Sequence, residues 1–413
     1  MRIQAPRGTE DVLPSQVGTW QWLESIYREL AHHYGYGEIR TPVFEDVNLF
    51  KRTAGEQSDI VSKEMYEFQD KGGRDVALKP EGTAPAMRAV VEHNLCPQGA
   101  HTRLYYLTAC YRYNRSQKGR LRELHQFGAE LLGANSAEAD AEVLELAARF
   151  LAMVGLENEP IWINSIGRTE CRAKFSEHIL DYVAAYLKDA DSEVRAKIEK
   201  NPLGMLDSKD PSQQEALKGL RPILEFLEDD SRARFENLQQ LLQESGVLYE
   251  VSHGTVRGLD YYTETVFEFE SKHLPGLSIF GGGRYDNLVK EIGGASTPCV
   301  GFGIGVERVI LALQAKGIVA PSSKPDIFIV RATIEAGSVV RKLARDLRQG
   351  GKTVLLDLDG RSMKSQMRQA DSSNARYCAI IGEEEISSNT VSLKNMETGD
   401  QTKVGFENVL GLL

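Results

Sequence analysis

The chain has 413 residues, 41% hydrophobic and 26% charged, with a formal net charge of −10. That length exceeds one ordinary core and predicts two or three domains, in a globular protein with no apolar run long enough to cross a bilayer. The acidic balance excludes a protein that coats nucleic acid non-specifically, and an N-terminus without the apolar core of a signal peptide predicts a cytoplasmic protein away from membranes.

The first predicted helix runs from about Ser15 to His33, with Trp20, Leu23, Ile26 and Leu30 at helical spacing. An extended segment, YGYGEIRTPVFED, ends near Pro42, as suits an edge strand. A strand-like VALK then leads into LKPEGTAPAMRAVVEH, which puts Glu81, Gly82 and Thr83 at a strand-to-helix turn. Backbone N–H groups and a glutamate there can hold an ammonium group. A helix-capping threonine explains Thr83 equally well, but not Glu81 so easily.

Residues 104–133 read as two strands joined by a basic turn of Asn114, Arg115, Ser116, Gln117, Lys118, Gly119 and Arg120. Such a turn suits a polyanion, or is simply solvated. In the returning strand Gln126, Gly128 and Glu130 share one face, and a bare glycine between two polar groups leaves room for a small ligand. Polar groups buried on such a face need partners.

SAEADAEVLELAARFLAMVG is predicted to be an amphipathic helix capped by Ser136. Its Glu138, Asp140, Glu142 and Glu145 read as a solvated face rather than a metal site, since hard-cation sites need converging loops; no resident metal is expected. After the strand IWINSIG, a charged helical module extends from Cys171 to about Ser245, interrupted by the loop NPLGMLDSKDPS. VRGLDYYTETVFEFE reads as a strand. Its Arg257 either pairs with Asp260 or Glu268, or faces a substrate phosphate or carboxylate.

SIFGGGRYDNLV by itself suggests a tight turn before Arg284, Tyr285 and Asp286. In CVGFGIGVERVILALQAKG the glycines Gly301, Gly303 and Gly305 strip one strand face bare, which admits a flat ring. A dinucleotide fingerprint fails there because GxGxxG needs glycine where Val306 stands. GGKT at residues 350–353 fails as a P-loop, since the first glycine would fall at Asp346.

Beyond a PSSKP linker, strands and helices alternate and close with a hairpin and a short helix, which predicts an α/β domain with a mostly parallel or mixed sheet. From Pro325 onward 12 Lys+Arg balance 12 Asp+Glu, so the acidity resides in the preceding residues. Arg361, Lys364 and Arg368 fall on one face of its second helix, as a basic contact or a solvated face. Cys96, Cys110, Cys171, Cys299 and Cys378 form no CxxC pair and read as small core residues.

Taken together, five of these stretches resemble the class II aminoacyl-tRNA synthetases, and KGRLRELHQFGAE and RGLDYYT are similar to the histidyl-tRNA synthetase versions. The resemblance implies an α+β catalytic domain over residues 1–320 with a mainly antiparallel sheet, a helical insertion at about 171–245, and an α/β anticodon-binding domain at 325–413. It implies a homodimer that makes histidyl-adenylate from L-histidine and ATP, with Mg²⁺, and passes the histidine to tRNA(His), releasing AMP and pyrophosphate.

By the same resemblance Arg112 and Arg257 are the catalytic cations, and Arg308 contacts the distal phosphates. Glu81, Thr83 and Gln126 hold the α-amino group; Glu130 and Tyr262 pair with the imidazole nitrogens; Tyr261 and Tyr285 complete the pocket. Arg115, Gln117 and Lys118 would meet tRNA, as would Arg361, Lys364 and Arg368. The sequence departs from the family pattern at Asn114, usually acidic and facing the adenine amino group, at Ser116, usually proline, and at Lys79, usually arginine. Glu264 occupies a position expected to vary.

The alternative is a non-catalytic paralogue serving as a regulatory subunit in histidine biosynthesis. Such paralogues typically lack the RGLDYY run and the C-terminal domain, and this chain has both.

Overall fold

Period-two patterning in residues 102–132 produces two long antiparallel strands, Thr102–Tyr111 and Glu123–Leu132, paired from Thr102 against Leu132 to Tyr111 against Glu123. They sit inside an eight-stranded sheet ordered Gly37–Glu38, Thr102–Tyr111, Glu123–Leu132, Cys299–Gly305, Ser278–Arg284, Thr263–Glu270, Ile161–Ser165 and Tyr249–Val251. Only the two outermost pairings are parallel, so the sheet is mainly antiparallel as expected. The structure, a computed structural model, describes residues 3–55, 58, 60–114, 119–257, 259, 261–321 and 324–413. The chain divides into two units, Met1–Ala320 and Pro321–Leu413.

One face of the large sheet is covered by the helices Val17–His33, Ala137–Met153 and Val306–Lys316, with Asp229–Glu244 packed beside them. Side-chain alternation sends Phe127, Ala129 and Leu131 into that core, where Phe127 stacks on Tyr27 at 4.9 Å. Burying such a side chain fully is worth about 1.5–3 kcal/mol. Gln126, Gly128 and Glu130 are thereby turned to the opposite face.

The acidic helix Ala137–Met153 departs from its expected solvated face. Asp140 is completely buried and receives two hydrogen bonds from Arg284, at 2.6 and 2.9 Å, and one from the Thr265 hydroxyl at 2.8 Å. Charge periodicity cannot reveal this, because the partner arginine lies 144 residues away. Arg284 is also fully buried and donates further to the carbonyls of Ala134 and Ser136. Ser136 stands at the N-cap position, but its hydroxyl caps no backbone N–H.

Two further expectations are corrected. The glycines Gly281, Gly282 and Gly283 lie within the strand Ser278–Arg284, not in a tight turn. The strand expected across VRGLDYYTETVFEFE starts only at Thr263, so Arg257, Tyr261 and Tyr262 precede it. The aromatic content that suggested a strand there serves burial instead. The helical module contains Thr169–Tyr182, Ala184–Asp189, Ser192–Lys200, Pro211–Ala216 and Asp229–Glu244, and the expected loop within it includes a 3₁₀ turn at Pro202–Met205.

The second unit has the sheet order Val354–Leu356, Ile327–Arg331, Tyr377–Ile381, Thr390–Asn395 and Gln401–Gly405. The first three strands are parallel and the last two form an antiparallel hairpin, giving a mixed sheet. A helix at Glu383–Ser388 was not anticipated. Arg361 lies before the helix Met363–Ser372 instead of on its face, and its guanidinium meets Asp359 at 2.6 Å. Lys364 and Arg368 are on that helix, both exposed. Four of the five cysteines are buried and Cys96 is partly so; all are free thiols.

Because removal of Asp140 would leave Arg284 charged in a dry interior, Asp140→Ala should lower the unfolding free energy by about 3–5 kcal/mol. Denaturant titration against the wild type measures it; a loss below about 1 kcal/mol would refute a tightly coupled buried pair.

Candidate active site

On the polar face of the eight-stranded sheet lies a cleft of about 140 Å³. The turn before the helix Thr83–His93 contributes Glu81, and the helix contributes Thr83. The hairpin contributes Tyr106, Arg112, Asn114, Arg120 and Gln126; the segment before Thr263 contributes Arg257, Tyr261 and Tyr262; Glu307 and Arg308 complete it from the helix Val306–Lys316.

Four guanidinium groups, those of Arg112, Arg120, Arg257 and Arg308, line this cleft. Arg112 donates to the Pro80 carbonyl at 2.8 Å, and Arg308 donates to the carbonyls of Gly119 and Ser278. Burial, with the neighbouring charges of Arg112, Arg120 and Arg257, pulls Arg308 down to about 10. Arg257 pairs with Glu268 at 2.7 Å, so the structural pairing open from sequence is present while the side chain still lines the cleft. Its guanidinium lies flat on Gly281, where any Cβ would overlap it, and its Nε is buried without a hydrogen-bond partner among the described residues. Asn114 uses its amide nitrogen to hold the hairpin at the Leu121 carbonyl, 3.3 Å away.

Carboxylates and hydroxyls line the same cleft beside these cations. Glu81, not Thr83, caps the helix: its carboxylate accepts from the N–H groups of Thr83 and Ala84 at 2.6 and 2.8 Å. Gln126 accepts from the Gly82 N–H at 3.1 Å. Lys79 is fully buried and ties the approach to this turn to Thr41, 3.1 Å from its hydroxyl.

The space expected beside Gly128 is filled. The Tyr106 ring presses on both Gly82 and Gly128, and a Cβ at either would overlap it. Likewise the Glu130 carboxylate occupies the bare side of Gly301, leaving only Gly303 and Gly305 open to the cleft. Glu130 is wholly buried one layer behind the cleft and accepts from Thr83 at 2.8 Å, from Tyr106 at 3.1 Å and from Tyr285.

The structure thus gathers Glu81, Thr83, Arg112, Asn114, Gln126, Arg257, Tyr261, Tyr262 and Arg308 around one cavity, with Glu130 and Tyr285 outside its lining. Arg115, Gln117 and Lys118 lie outside the described residues. Sequence reasoning missed Tyr106, Arg120 and Glu307 as lining groups. Glu307 binds His125 through both the ring and the backbone N–H, at 2.8 and 2.9 Å. Two glycines facing one aromatic strand were the available signal for Tyr106.

Residues 8–309 match the family described as "Histidyl-tRNA synthetase", and residues 318–413 match "Anticodon binding domain". The chain belongs to the histidyl-tRNA synthetase family. It is 45% identical over 411 residues to the histidine–tRNA ligase of Caldanaerobacter subterraneus subsp. tengcongensis, covering 99% of each chain. It is 43% identical over 412 residues to that of Halothermothrix orenii, covering 99% of this chain and 98% of the other. The apo crystal structure of S. aureus histidyl-tRNA synthetase superposes with a TM-score of 0.83 at 33% identity, covering 100% of this chain and 99% of that one.

Burial pushes Glu130 up to about 8, aided by the charge of Glu81 and opposed by the hydroxyls of Tyr285, Thr83 and Tyr106. In this member of the synthetase family the folded state therefore retains a proton that the unfolded chain releases near 4.5. This group's contribution to stability is full below the lower value and falls as pH rises through the window to about 8. Glu130→Gln should remove that part of the decline; unfolding midpoints of both proteins across the window, if parallel, would contradict it.

Proposed function

We propose that the protein ligates L-histidine to tRNA(His): ATP and histidine form histidyl-adenylate with release of pyrophosphate, and transfer to tRNA then releases AMP. The observation that carries this reading is a single cleft lined both by the cations Arg112, Arg257 and Arg308 and by Glu81, Thr83 and Gln126. Attack of the histidine carboxylate on the α-phosphorus builds negative charge on phosphoryl oxygens, which fixed guanidinium groups stabilise without a protein nucleophile.

In this reading Arg112 and Arg257 act on the α-phosphate and carboxylate, Arg308 on the distal phosphates, and Asn114 on the adenine amino group. Glu81, Thr83 and Gln126 orient the α-ammonium. Tyr261 and Tyr262 wall the imidazole, with Glu130 and Tyr285 behind them. Mg²⁺ enters as part of the nucleotide substrate, since the lining carboxylates Glu81 and Glu307 are already engaged by helix N–H groups and by His125.

Contact with tRNA is assigned to Arg115, Gln117 and Lys118 and, in the second unit, to Lys364 and Arg368. Arg361 is engaged by Asp359 and would first have to exchange that partner. A homodimer is supported by Val43, Phe44 and Phe68, which are exposed by 47%, 55% and 45% on and beside a three-stranded sheet. No helix among the described residues is long and apolar enough to cross a membrane, and work in the cytoplasm is part of the same proposal. The regulatory-subunit alternative is disfavoured by the match of residues 318–413 to an anticodon-binding domain and by Arg257 in the cleft.

Histidine-dependent exchange of pyrophosphate into ATP tests the activation step. Arg257→Ala should slow it by roughly 10²–10³-fold while the protein stays folded, and an unchanged rate would remove Arg257 from the chemistry. Asn114→Asp, which supplies a charged acceptor, should lower KM for ATP by roughly fivefold. An unaltered KM would leave no basis for the adenine contact.

A further inference from the structure

We infer that Glu264 is a positioning residue for the amino-acid half of the cleft: its carboxylate, clamped by Arg168 and Ser231, holds a left-handed bulge that turns Tyr261 and Tyr262 inward. The inference rests on the functional reading above and goes beyond it, because it gives the flanking helices a part in histidine affinity.

The backbone points to this residue first. Gly283 stands opposite Val266 in the sheet, but the next residue, Arg284, stands opposite Thr263, so Glu264 and Thr265 form a bulge on their strand. Bulges beside functional sites re-aim side chains. Glu264 adopts φ 51 there, a left-handed conformation that costs a residue with a Cβ about 1–2 kcal/mol relative to glycine. A side chain kept where glycine would fit better is an outlier that calls for a use.

The side chain supplies one. Glu264 is buried, and one carboxylate oxygen accepts from Arg168 Nε at 3.0 Å and from the Ser231 hydroxyl at 2.8 Å. Its backbone is held as well, donating to the Gly167 carbonyl at 2.9 Å and accepting from the Ile166 N–H at 2.8 Å. Two residues earlier, Arg172 donates to the Tyr262 carbonyl at 2.9 Å. Arg168 stands at the N-cap position of the helix Thr169–Tyr182, Arg172 belongs to that helix, and Ser231 belongs to Asp229–Glu244. These helices begin and end the helical module.

No described residue between 171 and 245 lines the cleft, so the module acts on it from behind, through this clamp, the Arg172 bond to Tyr262 and the apolar cluster in which Phe175 and Leu227 pack with Tyr261 and Tyr262. What the clamp orients is an aromatic wall: the rings of Tyr261 and Tyr262 are 4.7 Å apart, and Tyr261 meets Tyr285 edge-on at 5.6 Å. A wall displaced by a fraction of an ångström loses contact with a small side chain while leaving the phosphate end untouched.

The test measures L-histidine binding by calorimetry, and KM for histidine and for ATP in pyrophosphate exchange, on the intact protein. Glu264→Gly permits the left-handed backbone but removes the carboxylate. Arg168→Gln removes the clamp from a half-exposed position, and Glu264→Gln keeps an acceptor. The first two should weaken histidine binding roughly tenfold with KM for ATP unchanged, and Glu264→Gln should fall between them and the wild type. Unchanged histidine affinity overturns the inference, as does equal weakening of both substrates, the mark of a merely structural loss. Should Glu264→Gly fail to fold, Arg168→Gln decides by the same criterion. Wild-type protein that binds no histidine would overturn the functional reading too, whereas normal wild-type binding with unmoved variants overturns this inference alone.

Discussion

Repulsion among guanidinium groups is the constraint around which the cleft is built. Two unit charges 4 Å apart interact by about 4 kcal/mol at the effective dielectric of a protein surface. Arg112, Arg257 and Arg308 line one small cavity with Arg120 close by. The fold offsets this by giving each cation an acceptor of its own: Pro80 for Arg112, Glu268 for Arg257, Gly119 and Ser278 for Arg308. Arg308 has only neutral carbonyls among these, and its depressed pKa expresses the repulsion that is left over. An incoming polyphosphate relieves the repulsion, so part of its binding energy is stored in the unliganded fold.

Backbone geometry makes the crowding possible. Gly281 lets a guanidinium lie on the sheet itself, and Gly282 lets two strands approach where Phe267 and the Gly301 carbonyl leave no space for a Cβ. Behind this surface, the Asp140 and Arg284 pair fastens the helix Ala137–Met153 to the strand that carries those glycines. A buried pair of this kind is weak evidence for net stability but strong evidence for register, because a slipped strand would strand both charges in an apolar interior.

How much of this was legible depended on whether the signal was local. The long hairpin, the helix Val17–His33 and the shared face of Gln126, Gly128 and Glu130 follow from periodicity within a few residues, and they appear as read. Contacts between distant segments were not legible from spacing. Asp140 looked solvated because its partner lies far along the chain, and the room at Gly128 looked empty because nothing in the strand itself shows that Tyr106 turns across it. The start of the strand at Thr263 was missed for a third reason: Tyr261 and Tyr262 have the aromatic character of a strand but serve burial ahead of it. Arg361 was misjudged because its spacing matched a helix that begins two residues later.

A cleft that is to take both a triphosphate and an amino acid, as proposed, faces two opposite electrostatic problems on the same sheet. The cations Arg112, Arg257 and Arg308 line the cavity itself. Glu130 is withdrawn from it, behind hydroxyls of Thr83, Tyr106 and Tyr285. Buried behind these hydroxyls, Glu130 holds its proton up to about 8 and joins a hydrogen-bonded network whose members strengthen one another in a low dielectric. A neutral imidazole, which needs one donor and one acceptor from its surroundings, fits such a layer better than a charged side chain would. In the proposed function, selection of the amino acid and retention of the triphosphate would become compatible in one small space through the depth at which each charge is set.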